Sequence, residues 1–323
     1  MIYNMKRYIA YLIVAFLCMV GCARSGEELY KEGVPYITGD GVTQNLDKAE
    51  KLLTKAAKKE YVPAYRQLGR VYMRKGYTEE GLKWYDKAAL SGDKNAARWL
   101  GDAYYNGADG IEKNNTKAQY YYEKVVEMGE EKDDAIVHYN LGYLYGSAEK
   151  PEIDKAISHY TKAIELDESN SAAFFDLGQI YYWGIGGIKK DYQKAIQYYK
   201  QAADLDNPTA LWNLAVCYDN GQGVKKNHNV AVEYAKKAAD LGFQEAKNYL
   251  EQLRQEEERR KARNNQLVPC YVCHGRGITQ GTGFHAGTIV TCGTCGGSGY
   301  VRRGEAESIA ELRNSLWDAI MGR

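Results

Sequence analysis

Four cysteines near the C-terminus have the residue type and spacing to do chemistry. Cys270-Tyr271-Val272-Cys273 is followed by His274-Gly275-Arg276-Gly277. Cys292-Gly293-Thr294-Cys295 is followed by Gly296-Gly297-Ser298-Gly299. Both octets read CxxCxGxG, with 18 residues between the two pairs. Each CxxC turn offers two thiolates, and the glycines let the backbone fold tightly behind the sulfurs. Cys270, Cys273, Cys292 and Cys295 together could close one tetrahedral Zn²⁺ shell, one ion per chain. His274 and His285 lie nearby in sequence, but four thiolates already complete such a site. In an oxidising compartment the same four residues could instead form disulfides. The repeated glycines favour metal, because a disulfide needs no tight turn made twice.

The N-terminus says where these thiols would work. Lys6 and Arg7 precede an apolar run from Tyr8 to Gly21, too short to span a bilayer comfortably. The run ends Met19-Val20-Gly21-Cys22 and resembles the lipobox of bacterial lipoproteins. Met19 stands where that family prefers Leu. The resemblance implies a signal peptide at 1–21 and lipidation of Cys22. Cys18, preceded by Leu17, matches less well, and an uncleaved signal anchor is the alternative. Either places the body in the bacterial cell envelope, tethered to membrane. Asp does not follow Cys22, which under enteric-type sorting favours the outer membrane, with the leaflet open. Of the seven cysteines, Cys217 sits in an apolar helical stretch and reads as a buried small side chain.

Charge narrows the partners. Removal of 1–21 takes away two basic groups and leaves 41 Lys and Arg against 42 Asp and Glu. A net charge of −1 gives no field that would gather nucleic acid.

Internal repetition fills residues 26–254. A small residue opens each second helix: Ala49, Gly81, Ala118, Ala156, Ala195, Ala231. Another follows seven residues on: Ala56, Ala88, Val125, Ala163, Ala202, Ala238. Between them stand Leu53, Tyr85, Tyr122, Tyr160, Tyr199 and Ala235. Positions i, i+4 and i+7 share a helix face, so each copy presents a small-large-small stripe. In the first helices Gly69, Gly101, Gly142, Gly178 and Ala215 each follow a Leu, and a tyrosine comes three residues later. Glycine within a helix costs roughly 1 kcal/mol against Ala. Its recurrence predicts a neighbouring backbone that needs the space. Pro151 is expected in the first turn of the fourth copy's second helix, where its missing N–H is harmless.

The segments Leu177–Ala203 and Leu214–Ala239 carry the pattern LGxxYxxGxGVxxDxxKAxxYYxKAA and resemble Sel-one-like repeats of the tetratricopeptide superfamily. The fourth copy is closer to an ordinary tetratricopeptide repeat. About six helix-turn-helix copies are expected over 22–254. The fold class is therefore all-α, an α-solenoid, since one helical pair cannot bury its own face. The resemblance implies a groove that binds a protein or peptide. Most of the 29 tyrosines are expected in the packing register. Tyr105, Tyr143 and Tyr182 lie off it and are the groove candidates. His138, His159 and His228 are scattered, and no Ser-His-Asp, Cys-His or GxxxxGK[ST] motif is present.

A charged helical spacer is expected over 255–267. A small β-hairpin zinc ribbon follows over 268–302, then an amphipathic helix over 303–323. On that helix Ile309, Leu312, Leu316, Trp317 and Ile320 share one face. It would dock on its own chain or self-associate through Trp317. The CxxCxGxG octets resemble the cysteine-rich region of DnaJ-type co-chaperones over about 35 residues. That family carries four such motifs, and this chain has two. It also lacks the His-Pro-Asp tripeptide, so partnership with a DnaK-type ATPase does not carry over.

The leading expectation is a non-enzymatic, membrane-anchored scaffold that holds a protein or peptide in its groove, with a structural zinc module. The second is a chaperone-like or thiol-disulfide-active factor for exported proteins, acting through a CxxC pair. A reactive pair would need a lowered thiolate pKa, with Arg276 and His274 as the available helpers.

Overall fold

A computed structural model describes residues 24–107, 110–129, 131, 134–265 and four three-residue strands in the C-terminal segment. Cys22, the four paired cysteines, segment 1–21 and the helix expected over 303–323 lie outside the described residues. Two compact units divide the chain, 1–207 and 208–323.

The first unit contains five helical pairs. In the first, α1 (Gly26–Gly33) and the short α2 (Pro35–Thr38) face α3 (Leu46–Ala57). Next come α4 (Val62–Arg74) with α5 (Thr78–Leu90), and α6 (Lys94–Asn106) with α7 (Asn115–Glu127). Then α8 (Ala135–Ser147) pairs with α9 (Ile153–Leu166), and α10 (Ser171–Trp183) with α11 (Tyr192–Asp204). The second unit holds α12 (Pro208–Asn220), α13 (His228–Asp240) and α14 (Gln244–Asn265).

Cap chemistry places these helices. Asn45, Asn114, Asp191 and Asn227 accept the backbone N–H three residues on, at the starts of α3, α7, α11 and α13. Ser25 and Glu28 form a reciprocal capping box at α1. A second bond closes every pair. The N–H of the residue that caps each second helix donates to the carbonyl of the first helix's register tyrosine. Asn45 reaches Tyr36, Tyr77 reaches Tyr72, Asn114 reaches Tyr104, Glu152 reaches Tyr145, Asp191 reaches Tyr181 and Asn227 reaches Tyr218, all at 2.8–3.0 Å.

The predicted small-large-small stripe is buried. Ala49, Ala56, Ala118, Ala156, Ala163, Ala195 and Ala202 are sealed from solvent, as are Leu53, Tyr122 and Tyr199. The recurrent glycines make room for an aromatic ring rather than for a neighbouring backbone. A Cβ at Gly69, Gly101, Gly142 or Gly178 would lie 2.5–2.7 Å from the ring of Tyr85, Tyr122, Tyr160 or Tyr199. Ring and glycine vary together: Leu53 meets Gly33 in the first pair, and in the sixth the two register positions are Ala235 and Ala215. Pro151 also differs from expectation. It precedes the cap Glu152 and lies outside the first turn, because the closing bond to Tyr145 needs the N–H of Glu152.

In the second unit, Leu211, Leu214, Ala215 and Cys217 of α12 pack in the interior with Ala231, Ala235 and Ala238 of α13. Burial pushes the Cys217 thiol up to about 11. The charged second half of α14 is exposed and carries Glu251–Arg254 and Glu257–Lys261 pairs. Beyond it, β1 (Leu267–Pro269) pairs antiparallel with β4 (Tyr300–Arg302). β2 (Ile278–Gln280) pairs antiparallel with β3 (Ile289–Thr291). Among the described residues no helix is long and apolar enough to cross a membrane.

Candidate functional site: a tyrosine-lined cleft around Asp176

The inter-pair contacts of the first unit build a cleft. The large residue of one pair meets the position two before the glycine of the next. Tyr85 stacks on Trp99 at 3.9 Å between ring centroids. Tyr122 Oη receives Asn140 Nδ2 at 3.0 Å and donates to Asp102 at 2.8 Å. At the following step Tyr160 donates its hydroxyl to Asp176, and Tyr139 does the same.

Asp176 sits on α10 between apolar walls. The cleft is about 200 Å³ and is lined by Tyr143, Gly146, Ser147, Ile153, Tyr160, Asp176, Gln179, Ile180 and Ile185. Its end wall is a single turn, Ile185–Gly187, after Gly184 stops α10 in the left-handed region (φ 69°). Gly186 also has positive φ and lies hard against Ile153, so no side chain fits there. Tyr143 on α8 meets Tyr105 on α6 edge to face at 6.0 Å, and Tyr139 lies 5.7 Å from Tyr160.

The electrostatics are one-sided. Burial raises the Asp176 carboxyl to about 6, against which the hydroxyls of Tyr139 and Tyr160 pull it down. Burial likewise raises Tyr160 and Tyr139, with the Asp176 charge adding to it. No Lys or Arg lines the cleft, and no ion pair to Asp176 occurs among the described residues. Tyr143 is 41% exposed at the mouth, and Trp183, two residues before the wall residue Ile185, is 57% exposed.

Of the sequence-derived groove candidates, Tyr143 lines this cleft, and Tyr105 meets Tyr143 without lining it. Tyr182 instead packs one pair along, against Tyr192 and Tyr199. Asp176 was missed. The signal available for it was a polar residue two before the small register position in four of five copies, Gln67, Asn140, Asp176 and Asn213, with Trp99 the exception. His138 and His159, expected to be scattered, meet at 3.0 Å between Nδ1 atoms, with Tyr145 stacked on His159. His228 sits 2.8 Å from Asp219. Another recurrent feature is a lysine that immediately precedes the small anchor and covers the register tyrosine. Lys48 lies over Tyr36, Lys117 over Tyr104, Lys155 over Tyr145 and Lys194 over Tyr181, at 3.9–4.8 Å. Among the described residues no group of three His, Cys, Asp or Glu is placed to hold a metal ion.

Stacked helical pairs with a glycine-tyrosine lock define a helical-repeat protein of the tetratricopeptide-like class. The Sel1 repeat matches residues 28–61, 94–130, 135–168, 171–207 and 208–243, and a tetratricopeptide repeat matches 62–90. The chain belongs to the Sel1 repeat family. It is similar to an uncharacterised Sel1-like repeat-containing protein of Schizosaccharomyces pombe, 27% identical over 241 residues. That match covers 58% of this chain and 36% of the relative. It is also similar to an uncharacterised protein of Neisseria meningitidis, 25% identical over 227 residues, covering 61% and 47%. The chain thus spans less than half the length of these curated relatives. Among solved structures it resembles c5321, a protective antigen of uropathogenic Escherichia coli with an SLR fold. The identity there is 27%, the TM-score is 0.49, and 70% of this chain and 49% of that one are covered.

Proposed function

We propose that this protein is a non-enzymatic scaffold that binds a segment of a partner polypeptide at the Asp176 cleft. The observation that carries the reading is a cleft walled by tyrosine and isoleucine, open to solvent beside exposed Tyr143 and Trp183. Aromatic side chains with one apolar face and one polar tip are the usual anchors of such contacts. A photo-crosslinking residue at position 143 should capture a partner that the same residue at Leu90, exposed at the end of α5, does not. Equal labelling from both positions would sink the cleft as the binding face.

The termini complete the proposal. Cys22 carries a lipid and tethers the scaffold to an envelope membrane. Cys22→Ala should release it to the soluble fraction, whereas an unprocessed, still tethered variant would mean a signal anchor. Cys270, Cys273, Cys292 and Cys295 hold one Zn²⁺. The strand register supports a shared site. The first octet begins right after Pro269 and ends right before Ile278, and the second begins after Thr291 and ends before Tyr300. Pro269 is paired with Tyr300 and Ile278 with Thr291, so both octets are anchored at both ends on the same two ladders. Four thiolates suit Zn²⁺ without a further ligand. Thiol-disulfide activity remains the competing reading; insulin reduction that disappears in Cys270→Ala would favour it over a structural metal.

A further inference from the structure

We infer that the Asp176 cleft is a subsite for a basic side chain, the ammonium of a lysine or the guanidinium of an arginine, presented by the bound polypeptide. The inference rests on the scaffold reading and names the chemistry its site selects.

Three features of the cleft converge on that occupant. The first is size. About 200 Å³ falls below the roughly 300–1,000 Å³ of pockets that enclose whole small molecules. The space suits one long side chain. The second is the lining. Ile153, Ile180 and Ile185 offer an apolar passage for an aliphatic stem, and Asp176 lies on the wall with them. Tyr143 stands at the mouth and Tyr160 inside, and tyrosine faces attract cations within about 6 Å. Long basic residues divide in this way into a methylene stem and a charged head.

The third feature is a missing partner charge. Asp134, the fully buried aspartate of α8's first turn region, is met by both Lys94 and Arg98. Asp102 has Tyr122 on it and feels Arg98. Among the described residues Asp176 has two neutral hydroxyls as its side-chain partners, and no basic residue lines the space in front of it. A half-buried carboxylate without a cation is a standing cost to the fold unless something outside supplies the charge. A neutral or acidic side chain would leave that cost in place, and an acidic one would add repulsion. A basic one removes it and gains charge-assisted hydrogen bonds.

The test uses the full chain and arrayed peptides randomised except at one fixed central residue: Lys, Arg, acetyl-lysine or citrulline. The Lys and Arg pools should bind about ten- to a hundredfold more tightly than their neutral counterparts. Asp176→Asn, checked for an intact melting transition, should bring that ratio close to one while the neutral pools still bind. Gln179→Lys keeps Asp176 and sets an ammonium of the chain's own at the cleft wall; it should abolish the preference equally. Equal binding of charged and neutral pools by the unaltered chain would overturn the basic subsite and leave the scaffold reading intact. A preference that persists in Asp176→Asn would overturn it too. If no pool binds the unaltered chain better than Tyr143→Ala, the scaffold reading falls and takes the subsite with it.

Discussion

A single methyl group has opposite signs at two glycines of this chain. At Gly178 an added Cβ would stand 2.5 Å from the Tyr199 ring, which is sealed from solvent and hydrogen-bonded to Gln179 at 2.7 Å. The ring has nowhere to go, so Gly178→Ala should cost about 1–3 kcal/mol in urea unfolding. At Gly146 the same atom meets only Ala156 Cβ at 3.7 Å, an ordinary contact. Gly146→Ala should instead gain about 0.5 kcal/mol from helix propensity. Loss of stability at both sites would mean that backbone freedom, not the ring, explains the glycines. Asp176 makes a prediction in pH. Its carboxyl is raised from 3.8 to about 6 by burial. Between those values the folded chain keeps a proton that the unfolded chain has released. This group's contribution is therefore fully favourable below the unfolded value and is lost as pH rises through the folded one. Asp176→Asn should stabilise the protein by about 1–3 kcal/mol at pH 7.5, with the gain vanishing toward pH 4. A gain independent of pH would point to packing rather than to the buried charge.

Second-helix starts repeat in this chain, except that Tyr77 and Glu152 make no side-chain cap bond, and the second exception can be used. Asp191 caps α11 with its side chain on the Lys194 N–H at 2.9 Å, while Glu152 begins α9 with no side-chain cap bond. Both donate their own N–H to the register tyrosine of the preceding helix. Asp191→Ala should therefore cost about 1 kcal/mol, and Glu152→Ala, which loses only an exposed pair with Lys155, a few tenths. Comparable losses in thermal unfolding would mean that the backbone closure, common to both, does not hold without either side chain. Much of this level was readable from residue order, since Asn or Asp four places before the small anchor and tyrosine three after the glycine are local patterns. The site was less readable. Tyr105 and Tyr143 were visible as tyrosines off the register, yet Asp176 looked like one more polar helix residue. Its place in the cleft depends on Tyr139 and Tyr160 arriving from the neighbouring pair, and such an apposition leaves no period in the sequence. His138 and His159 were unreadable for the same reason, 21 positions apart and joined only by the packing of α8 on α9.

At the scale of the whole chain, stability is expected to divide sharply between the helical repeats and the C-terminal strands. Among the residues whose burial is described, the buried apolar ones run from Leu29 to Ala246, and a stack of pairs draws its stability from neighbouring pairs. The strands form two antiparallel ladders of three residues on each side. Isolated two-stranded ladders are marginal in water, and some 35 residues bury too little apolar surface to fold unaided. If four thiolates on one zinc hold this segment, its folding free energy is largely the metal's binding free energy. A strong chelator should then release one zinc per chain, open residues 267–302 to protease, and leave the helical circular dichroism and its melting temperature unchanged. Disulfides would reverse the trigger: the chelator would do nothing, and a thiol reductant would open the same segment. Resistance of 267–302 to both reagents would mean that the ladders stand by their own packing and that the cysteines are not the staple.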